Sequence, residues 1–471
     1  MAVLTTAETG YMEQSIRFDE ALIKRYNQSG PRYTSYPTAL EFDQAFEVAD
    51  YKAAAERSND SNRQLSLYFH IPFCDTVCFF CACNKIWTRD RKKTTPYLKR
   101  LFKEIELQSR LFDPARKVDQ LHLGGGTPTF ISQDEMHQLM ETTRRYFNLH
   151  DDDSGEYSIE IDPREASRES VLGLRELGFN RMSLGVQDFD ERVQKAVNRI
   201  QTESETFEVL EAAHESGFMS VNIDLMYGLP HQTEQSFLKT LDRVLESNPD
   251  RFSIFNYAHM PAMFPTQKKM DESAMPGPDE KLAIMHAATE RLLQAGYIYI
   301  GMDHFAKPDD ELAVAQREET LYRNFQGYST HAECDLIGMG ATSISLLNNT
   351  YAQNHKSLND YYAAIDSGEL AVFRGVTLSE DDELRRDVIT RLMSHFHLNF
   401  ERLSQQWGIV FSEYFAKELA NLAPMVEDGL ITLSDSDIYV TAAGRLLIRN
   451  ICMVFDAYMQ DKLPNRFSKV I

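Results

Sequence analysis

A chain of 471 residues is too long for one compact core, and the usual domain size divides it into two or more units. With 43% hydrophobic and 25% charged residues it is ordinary globular material, neither disordered nor fibrous. Lys and Arg total 49 against 71 Asp and Glu, a formal charge of -22 that repels DNA, RNA and anionic membranes at long range, so neither nucleic acid nor membrane is expected as a partner.

The first twenty residues contain no apolar h-region and no later run is long enough to span a bilayer, so a soluble, cytoplasmic protein is expected. Residues 1–60 read as an irregular arm plus a helix, interrupted at Ser29-Gly30-Pro31-Arg32 and Tyr36-Pro37. A strand–helix alternation then fills residues 61–376. Its strands are expected at Leu65–Phe73, Val118–Leu123, Tyr157–Asp162, Met182–Gln187, Val221–Met226 and Phe252–Tyr257. Helices are expected between them at Tyr97–Phe112, Glu135–Phe147, Glu169–Leu177, Glu203–Glu215 and Glu234–Glu246. Six βα units in series predict an α/β fold with a parallel sheet rolled into a barrel, full or partial. From residue 377 to 471 the rhythm stops: helices at Asp382–Phe396 and Phe411–Leu422, a hairpin through residues 430–440, and a helix over Ala442–Met459 predict a mostly helical, winged-helix-like domain. The acidic residues Glu427, Asp428, Asp435 and Asp437 on it favour a structural or lid role over DNA binding.

The strands alternate in character. Ser66, Tyr68 and His70 interleave with Leu65, Leu67 and Phe69; Ser158, Glu160 and Asp162 with Tyr157, Ile159 and Ile161; Asn222 and Asp224 with Val221, Ile223 and Leu225. One face suits packing under helices and the other is polar. A narrow packed barrel fills its interior with branched apolar residues, so these strands predict an open, wide barrel whose lumen holds polar ligands.

Four of the six cysteines fall within ten residues, in HIPFCDTVCFFCACNK (His70 to Lys85), which favours metal or redox chemistry over disulfides. The spacing Cys74-x3-Cys78-x2-Cys81 supplies three thiolates for a four-iron cluster and leaves the fourth iron open, as radical S-adenosylmethionine (SAM) chemistry requires; SAM chelates that iron and is cleaved to the 5′-deoxyadenosyl radical. A structural zinc site lacks its second knuckle here. Cys83 stays outside the ligand set, although a fourth ligand is its alternative reading, and the isolated Cys334 and Cys452 read as small buried side chains. Gly124-Gly125-Gly126-Thr127-Pro128 directly follows a strand and resembles the turn that binds the methionine amino group in radical SAM enzymes. Glu160, Asp162, Gln187 and Asp224 lie at the C-terminal ends of later strands, where sites form in parallel α/β barrels.

Together with the cysteine motif, the segments YNQSGPRYTSYPTALEF, LHLGGGTPTF, SIEIDPRE, SLGVQDF, NIDLMYGLP, FNYAHMP, RNFQGYST and GRLLIRNICMVFDAY resemble the oxygen-independent coproporphyrinogen III oxidases, also called coproporphyrinogen dehydrogenases. The resemblance runs from Tyr26 to the last residue. It implies a partial (β/α)6 radical SAM barrel holding one 4Fe-4S cluster and two SAM molecules. The first SAM would meet Tyr68, Gly125, Glu160 and Ile344, and the second Phe80, Gly126, Thr127, Gln187, Arg199, Asp224 and Ala258. It further implies coproporphyrinogen III as substrate, decarboxylated at two propionates to protoporphyrinogen IX in anaerobic haem biosynthesis, with an unidentified electron donor and acceptor. A monomer is expected. Four carboxylates need cations, for which Arg32 is the candidate; the Arg89–Lys93 run is a second, but reads more often as a solvated basic stretch before a helix, and residues 1–60 are expected to cover the substrate side. The alternative within the same superfamily is a haem-chaperone paralogue without oxidase activity; such paralogues carry Phe where this chain has Cys83 and lack the long N-terminal arm.

Overall fold

The structure, a computed structural model, describes residues 16–61 and 63–459. Two compact units emerge. One comprises residues 42–281 and 333–377; the other comprises residues 282–332 and 378–459 together with the described part of the first 41.

The first unit is built on parallel strands β1 (Leu65–Ile71), β2 (Lys117–Gly125), β3 (Glu156–Ile161), β4 (Arg181–Gln187), β5 (Ser220–Tyr227) and β6 (Arg251–Asn256), paired in chain order. Helices α1 (Thr94–Ser109), α2 (Gln133–Tyr146), α3 (Arg168–Glu176), α4 (Glu203–Ser216) and α5 (Glu234–Leu245) follow the first five strands, with a short helix at Glu191–Ala196 before α4. Their ends are chemically marked. Ser132 caps α2 and exchanges hydrogen bonds with Glu135; Thr202 and Glu205 do the same for α4, which stops at Gly217 in the left-handed conformation (φ 80°) that glycine adopts without penalty. The arc of six parallel strands expected from the sequence is present, with a helix after each of the first five. Beyond it, β7 (Asp335–Met339) pairs in parallel with β1, and β8 (Ile344–Leu347), β9 (Thr350–Asn354) and β10 (Val372–Thr377) continue antiparallel, so β1 is an inner strand of a longer sheet.

Strand alternation places Leu67, Phe69, Leu121, Leu123, Ile159, Leu184, Ile223 and Leu225 in the core, all fully buried. The pairing register aligns the intervening polar residues into rows: Ser66 faces Gln120 and then Glu156, Tyr68 faces His122 and then Ser158, and Glu160 faces Ser183 and then Asn222. This is the polar lumen expected from the sequence.

In the second unit, the helix Glu380–His395 leads into a three-stranded antiparallel sheet with Asp437–Val440 between His397–Asn399 and Ile431–Leu433. The winged-helix-like grouping of helices and hairpin is thus present, with two departures. The helix expected over Phe411–Leu422 is broken into Phe411–Tyr414 and Ala416–Asn421 at Phe415, whose buried ring packs on Phe411 and Phe455. The helix expected over Ala442–Met459 is only Ile448–Val454, preceded by a 3₁₀ turn at Arg445–Leu447. Gly444 sits so close to the Leu430 carbonyl that no side chain fits, and Thr441 and Gly444 turn instead of starting an α-helix. Among the described residues no helix is long and apolar enough to cross a membrane.

Candidate radical site at the cysteine loop

The chain leaves β1 through Pro72 into the two-residue strand Phe73–Cys74, which pairs in parallel with Ile86–Trp87 and so closes the cysteine loop at its base. Farther along, Phe79 N–H donates to Val197 O (2.9 Å) and Asn198 Nδ2 to Val77 O (2.8 Å), which fixes the loop's middle. Cys78 and Phe80 are buried with Val193, Val197, Leu229, Tyr257 and Met270. Cys74 and Cys78 are buried, Cys81 is half-buried and Cys83 is exposed.

Each of the two buried sulfurs is faced by a donor. Thr127 Oγ1 donates to Cys74 Sγ (3.5 Å), while Arg199 Nη1 (3.4 Å) and Arg164 Nη2 (3.6 Å) donate to Cys78 Sγ. Burial pushes the Cys74 thiol up to about 11; the Thr127 hydroxyl opposes this and the Cys81 and Cys78 sulfurs add to it. The Cys83 thiol lowers the Cys81 thiol below its ordinary value, against burial and with help from Lys85. Donors aimed at two of the sulfurs suit anionic thiolates, and three cysteines on one loop fit a four-iron cluster with one iron left for another ligand.

Arg199 and Arg164 are anchored by Asp162, whose carboxylate accepts Arg199 Nη1 at 3.0 Å and Arg164 Nη2 at 2.6 Å. Burial resists ionisation of Asp162, but the two guanidiniums outweigh it and hold the carboxyl at about 2. Arg199 Nη2 also donates to Gly185 O, while its Nε is buried without a partner among the described residues.

The glycine turn at the end of β2 lies against this loop. Gly126 N–H donates to Ile71 O and Thr127 N–H to Phe73 O, both at 2.8 Å. A Cβ on Gly126 would stand 2.7 Å from Phe73 O, and one on Gly125 (φ 119°) 2.7 Å from the His70 ring, so both positions require the bare backbone. Glu160 Oε2 accepts the Gly125 N–H at 3.1 Å, and Oε1 lies 3.4 Å from His122 Nε2. Burial raises the Glu160 carboxyl, but His122 and the Gly125 N–H bring it below its ordinary value. Its side chain is nevertheless 47% exposed, so part of the carboxylate remains open to a ligand.

A polar belt spans the lumen. Tyr68 stacks on His122 (5.8 Å, 14°) and its hydroxyl bonds His70 Nδ1 (3.1 Å), while His70 Nε2 meets Asn84 O (3.0 Å) in the cysteine loop. Ser183 Oγ (3.0 Å) and Asn222 Nδ2 (2.8 Å) donate to Asp224, whose carboxyl burial pushes up to about 6. Gln187, at φ 66° on the end of β4, and Asn256, on the end of β6, each keep a buried side-chain oxygen with no partner among the described residues. Satisfied groups would not need a ligand; these two acceptors await one. The glycine turn, the Glu160 carboxylate and these acceptors are chemically suited to a polar ligand with amino and hydroxyl donors, as SAM has.

The barrel unit therefore contains Tyr68, Phe80, Gly125, Gly126, Thr127, Glu160, Gln187, Arg199, Asp224, Ala258 and Ile344, as well as the three cysteines. Ala258 is exposed, its carbonyl accepting Gln267 Nε2 (3.3 Å), which also donates to Phe80 O (3.1 Å); Ile344 opens β8 opposite Gln353. Arg32 lies in the other unit, where it pairs with Asp303. Arg164 and His122 were not singled out from the sequence. The signal for His122 was available in the alternation Gln120, His122 against Leu121, Leu123, and that for Arg164 in Asp162-Pro163-Arg164.

Residues 68–244 match the model of the radical SAM superfamily, and residues 378–447 match that of the HemN C-terminal domain. Fold and cysteine loop thus define a radical SAM enzyme, a class that carries a 4Fe-4S cluster and SAM. The chain is 51% identical to the oxygen-independent coproporphyrinogen III oxidase of Pseudomonas aeruginosa over 98% of its own length and 100% of that protein's. It is 51% identical to the Escherichia coli K12 enzyme of the same name, over 97% and 99%. The solved structure of the coproporphyrinogen III oxidase (HemN) from Escherichia coli, described as a radical SAM enzyme, superposes with a TM-score of 0.90 at 50% identity, covering 95% of this chain and 100% of that one. The chain belongs to the family of oxygen-independent coproporphyrinogen III oxidases, and is an oxidoreductase.

Proposed function

We propose that this enzyme converts two propionate side chains of coproporphyrinogen III to vinyl groups, yielding protoporphyrinogen IX, with one SAM at the cluster and a second beside it. The observation that carries the reading is the polar belt of unpaired acceptors and open carboxylate at the mouth of a three-cysteine loop, in a chain that matches its oxidase relatives over their whole length.

Cys74, Cys78 and Cys81 would hold the cluster, which when bound would supply the one-electron chemistry that opens SAM for hydrogen-atom removal. The chain's own groups bind and orient. Gly125 and Gly126 let the methionine end approach bare backbone, and Glu160 accepts hydrogen bonds from ribose hydroxyls. Arg199 keeps only Nε for a ligand carboxylate, because its other nitrogens hold Asp162, Cys78 and Gly185. Gln187 and Asp224 stand on the adjacent strands β4 and β5, where they suit the second SAM. Loss of one β-hydrogen from a propionate leaves a carbon radical; departure of CO2 and of one electron to an acceptor then gives the vinyl group, and a second round repeats this on another propionate.

Anaerobic enzyme given limiting reductant, SAM, coproporphyrinogen III and cell extract as the source of the electron acceptor should form the divinyl product, with one 5′-deoxyadenosine released for each vinyl group. Release of 5′-deoxyadenosine without any vinyl product would overturn the substrate assignment.

A further inference from the structure

The basic run after the cysteine loop is not absorbed by the site described above. The strand Ile86–Trp87 is bonded directly to the strand of a cluster cysteine: Cys74 faces Trp87 in register, Thr88 N–H donates to Cys74 O (2.9 Å), and Trp87 Nε1 donates to Asp75 O (2.8 Å). Yet the Trp87 side chain is 59% exposed, although a large aromatic usually lies buried. Behind it, Thr88 is buried and accepts the Asp90 N–H, and the Asp90 carboxylate caps the turn at Arg91–Lys93, so the segment is held in shape.

The run Arg89–Lys93 carries four cations and one carboxylate. Arg91 is taken by Glu165 (2.5 Å) and lies over the Phe130 ring. Among the described residues, the side chains of Arg89, Lys92 and Lys93 make no ion pair or hydrogen bond, and all three are exposed. In a chain of net charge -22, three exposed and unpaired cations directly following an exposed indole are a local exception. Such cations attract an acidic partner, and an aromatic is the usual anchor of a contact.

From this geometry we infer that Trp87, Arg89, Lys92 and Lys93 form the docking surface for a small acidic carrier protein that delivers single electrons to the cluster. The inference rests on the reading of Cys74, Cys78 and Cys81 as cluster ligands. The carrier is oxidised by one electron and the cluster reduced by one, with no bond made or broken. The Trp87 N–H to Asp75 carbonyl contact gives the electron a bonded route that ends at the neighbouring Cys74.

The test compares wild type with Arg89→Glu/Lys92→Glu/Lys93→Glu, and separately with Trp87→Ala, using an acidic flavodoxin and a plant-type ferredoxin as probes. Binding of the oxidised carriers by titration calorimetry is the first readout, and SAM cleavage driven either by the reduced carriers or by excess dithionite is the second. The charge reversal should weaken binding of at least one carrier about tenfold or more and remove most of its salt dependence. It should slow carrier-driven cleavage by a similar factor and leave dithionite-driven cleavage unchanged. Trp87→Ala should weaken binding while preserving the salt dependence. Unchanged carrier binding in the reversal variant overturns the inference, as does a wild type that binds neither carrier. An equal loss with dithionite also overturns it and assigns the patch to substrate or cluster integrity. Wild-type protein that holds no cluster after reconstitution overturns the underlying reading instead, which iron and sulfide analysis reveals independently.

Discussion

Glu160 illustrates how one side chain can serve both fold and ligand. One oxygen closes the glycine turn through the Gly125 N–H and the other rests near His122, yet 47% of the side chain stays accessible. Replacing it by Ala removes an ionised acceptor from the proposed ribose site, a loss of about 1.5–3 kcal/mol. Glu160→Ala should therefore weaken SAM binding roughly ten- to a hundredfold, measured anaerobically, while iron and sulfide content stay at the wild-type level. Unchanged affinity would reduce Glu160 to a support for the turn. Strand alternation was enough to place Glu160 and Asp224 on the lumen, because a period of two is written into the chain. The pairing of Cys78 with Arg164 and Arg199 was not legible in the same way. Those guanidiniums come from the turn after β3 and from the segment before α4, 86 and 121 residues away, and only the assembled sheet brings them to the sulfur.

On α1 the informative residue is Glu104, fully buried beneath the sheet. Its carboxyl oxygens accept from Tyr361 Oη (2.6 Å), Asn354 Nδ2 (2.7 Å) and Gly340 N–H (2.8 Å), which ties the helix to β9 and to the turn between β7 and β8. Burial pushes this carboxyl up to about 7, in spite of the three donors. The folded chain then keeps a proton between roughly pH 4.5 and 7 that the unfolded chain has lost, so the contribution to stability is complete below that window and falls as pH rises through it. Between pH 5 and 8 the wild type should lose on the order of 2–3 kcal/mol more than Glu104→Gln, read from urea unfolding at each pH. Parallel pH profiles for the two proteins would show that Glu104 is ionised throughout. Its partners belong to the part of the sheet that the sequence did not reveal. β1 to β6 announce themselves by apolar–polar alternation and an intervening helix. β7 follows no helix of the repeating pattern, and its five residues are buried on both faces, so it has no alternation to read. The end of the chain was misread for the converse reason: the apolar spacing after Ala442 is helical, but the close approach of Gly444 to Leu430 is a tertiary constraint with no local signature.

At the scale of the whole molecule, the N-terminal arm is a structural part of the second unit. Residues 1–15 of it lie outside the described residues, but residues 16–37 are bound throughout. Tyr26 Oη donates to Asp428 (2.6 Å), Tyr33 Oη to Asp456 (3.0 Å), and Tyr36 Oη accepts the Ala457 N–H (3.1 Å). Arg449, only 3% exposed, donates from Nε to Pro31 O (2.8 Å) and from Nη2 to Gly30 O, and Asn450 Nδ2 donates to Tyr26 O (2.9 Å). Removing the arm would take both these carbonyl acceptors from the Arg449 guanidinium, and a hydrogen bond to a charged group contributes about 1.5–3 kcal/mol. The cysteine loop and its supports lie wholly in the barrel unit, and none of their hydrogen bonds described above involves the arm. A protein lacking residues 1–37 should therefore lose far-ultraviolet helical signal in a separate, earlier thermal transition, while its iron–sulfur absorbance persists to the wild-type temperature. Coproporphyrinogen III conversion should be lost with that first transition, whereas SAM cleavage should survive it. A single unfolding transition at the wild-type temperature, with the divinyl product still formed, would show that neither the stability of the second unit nor substrate turnover depends on the arm.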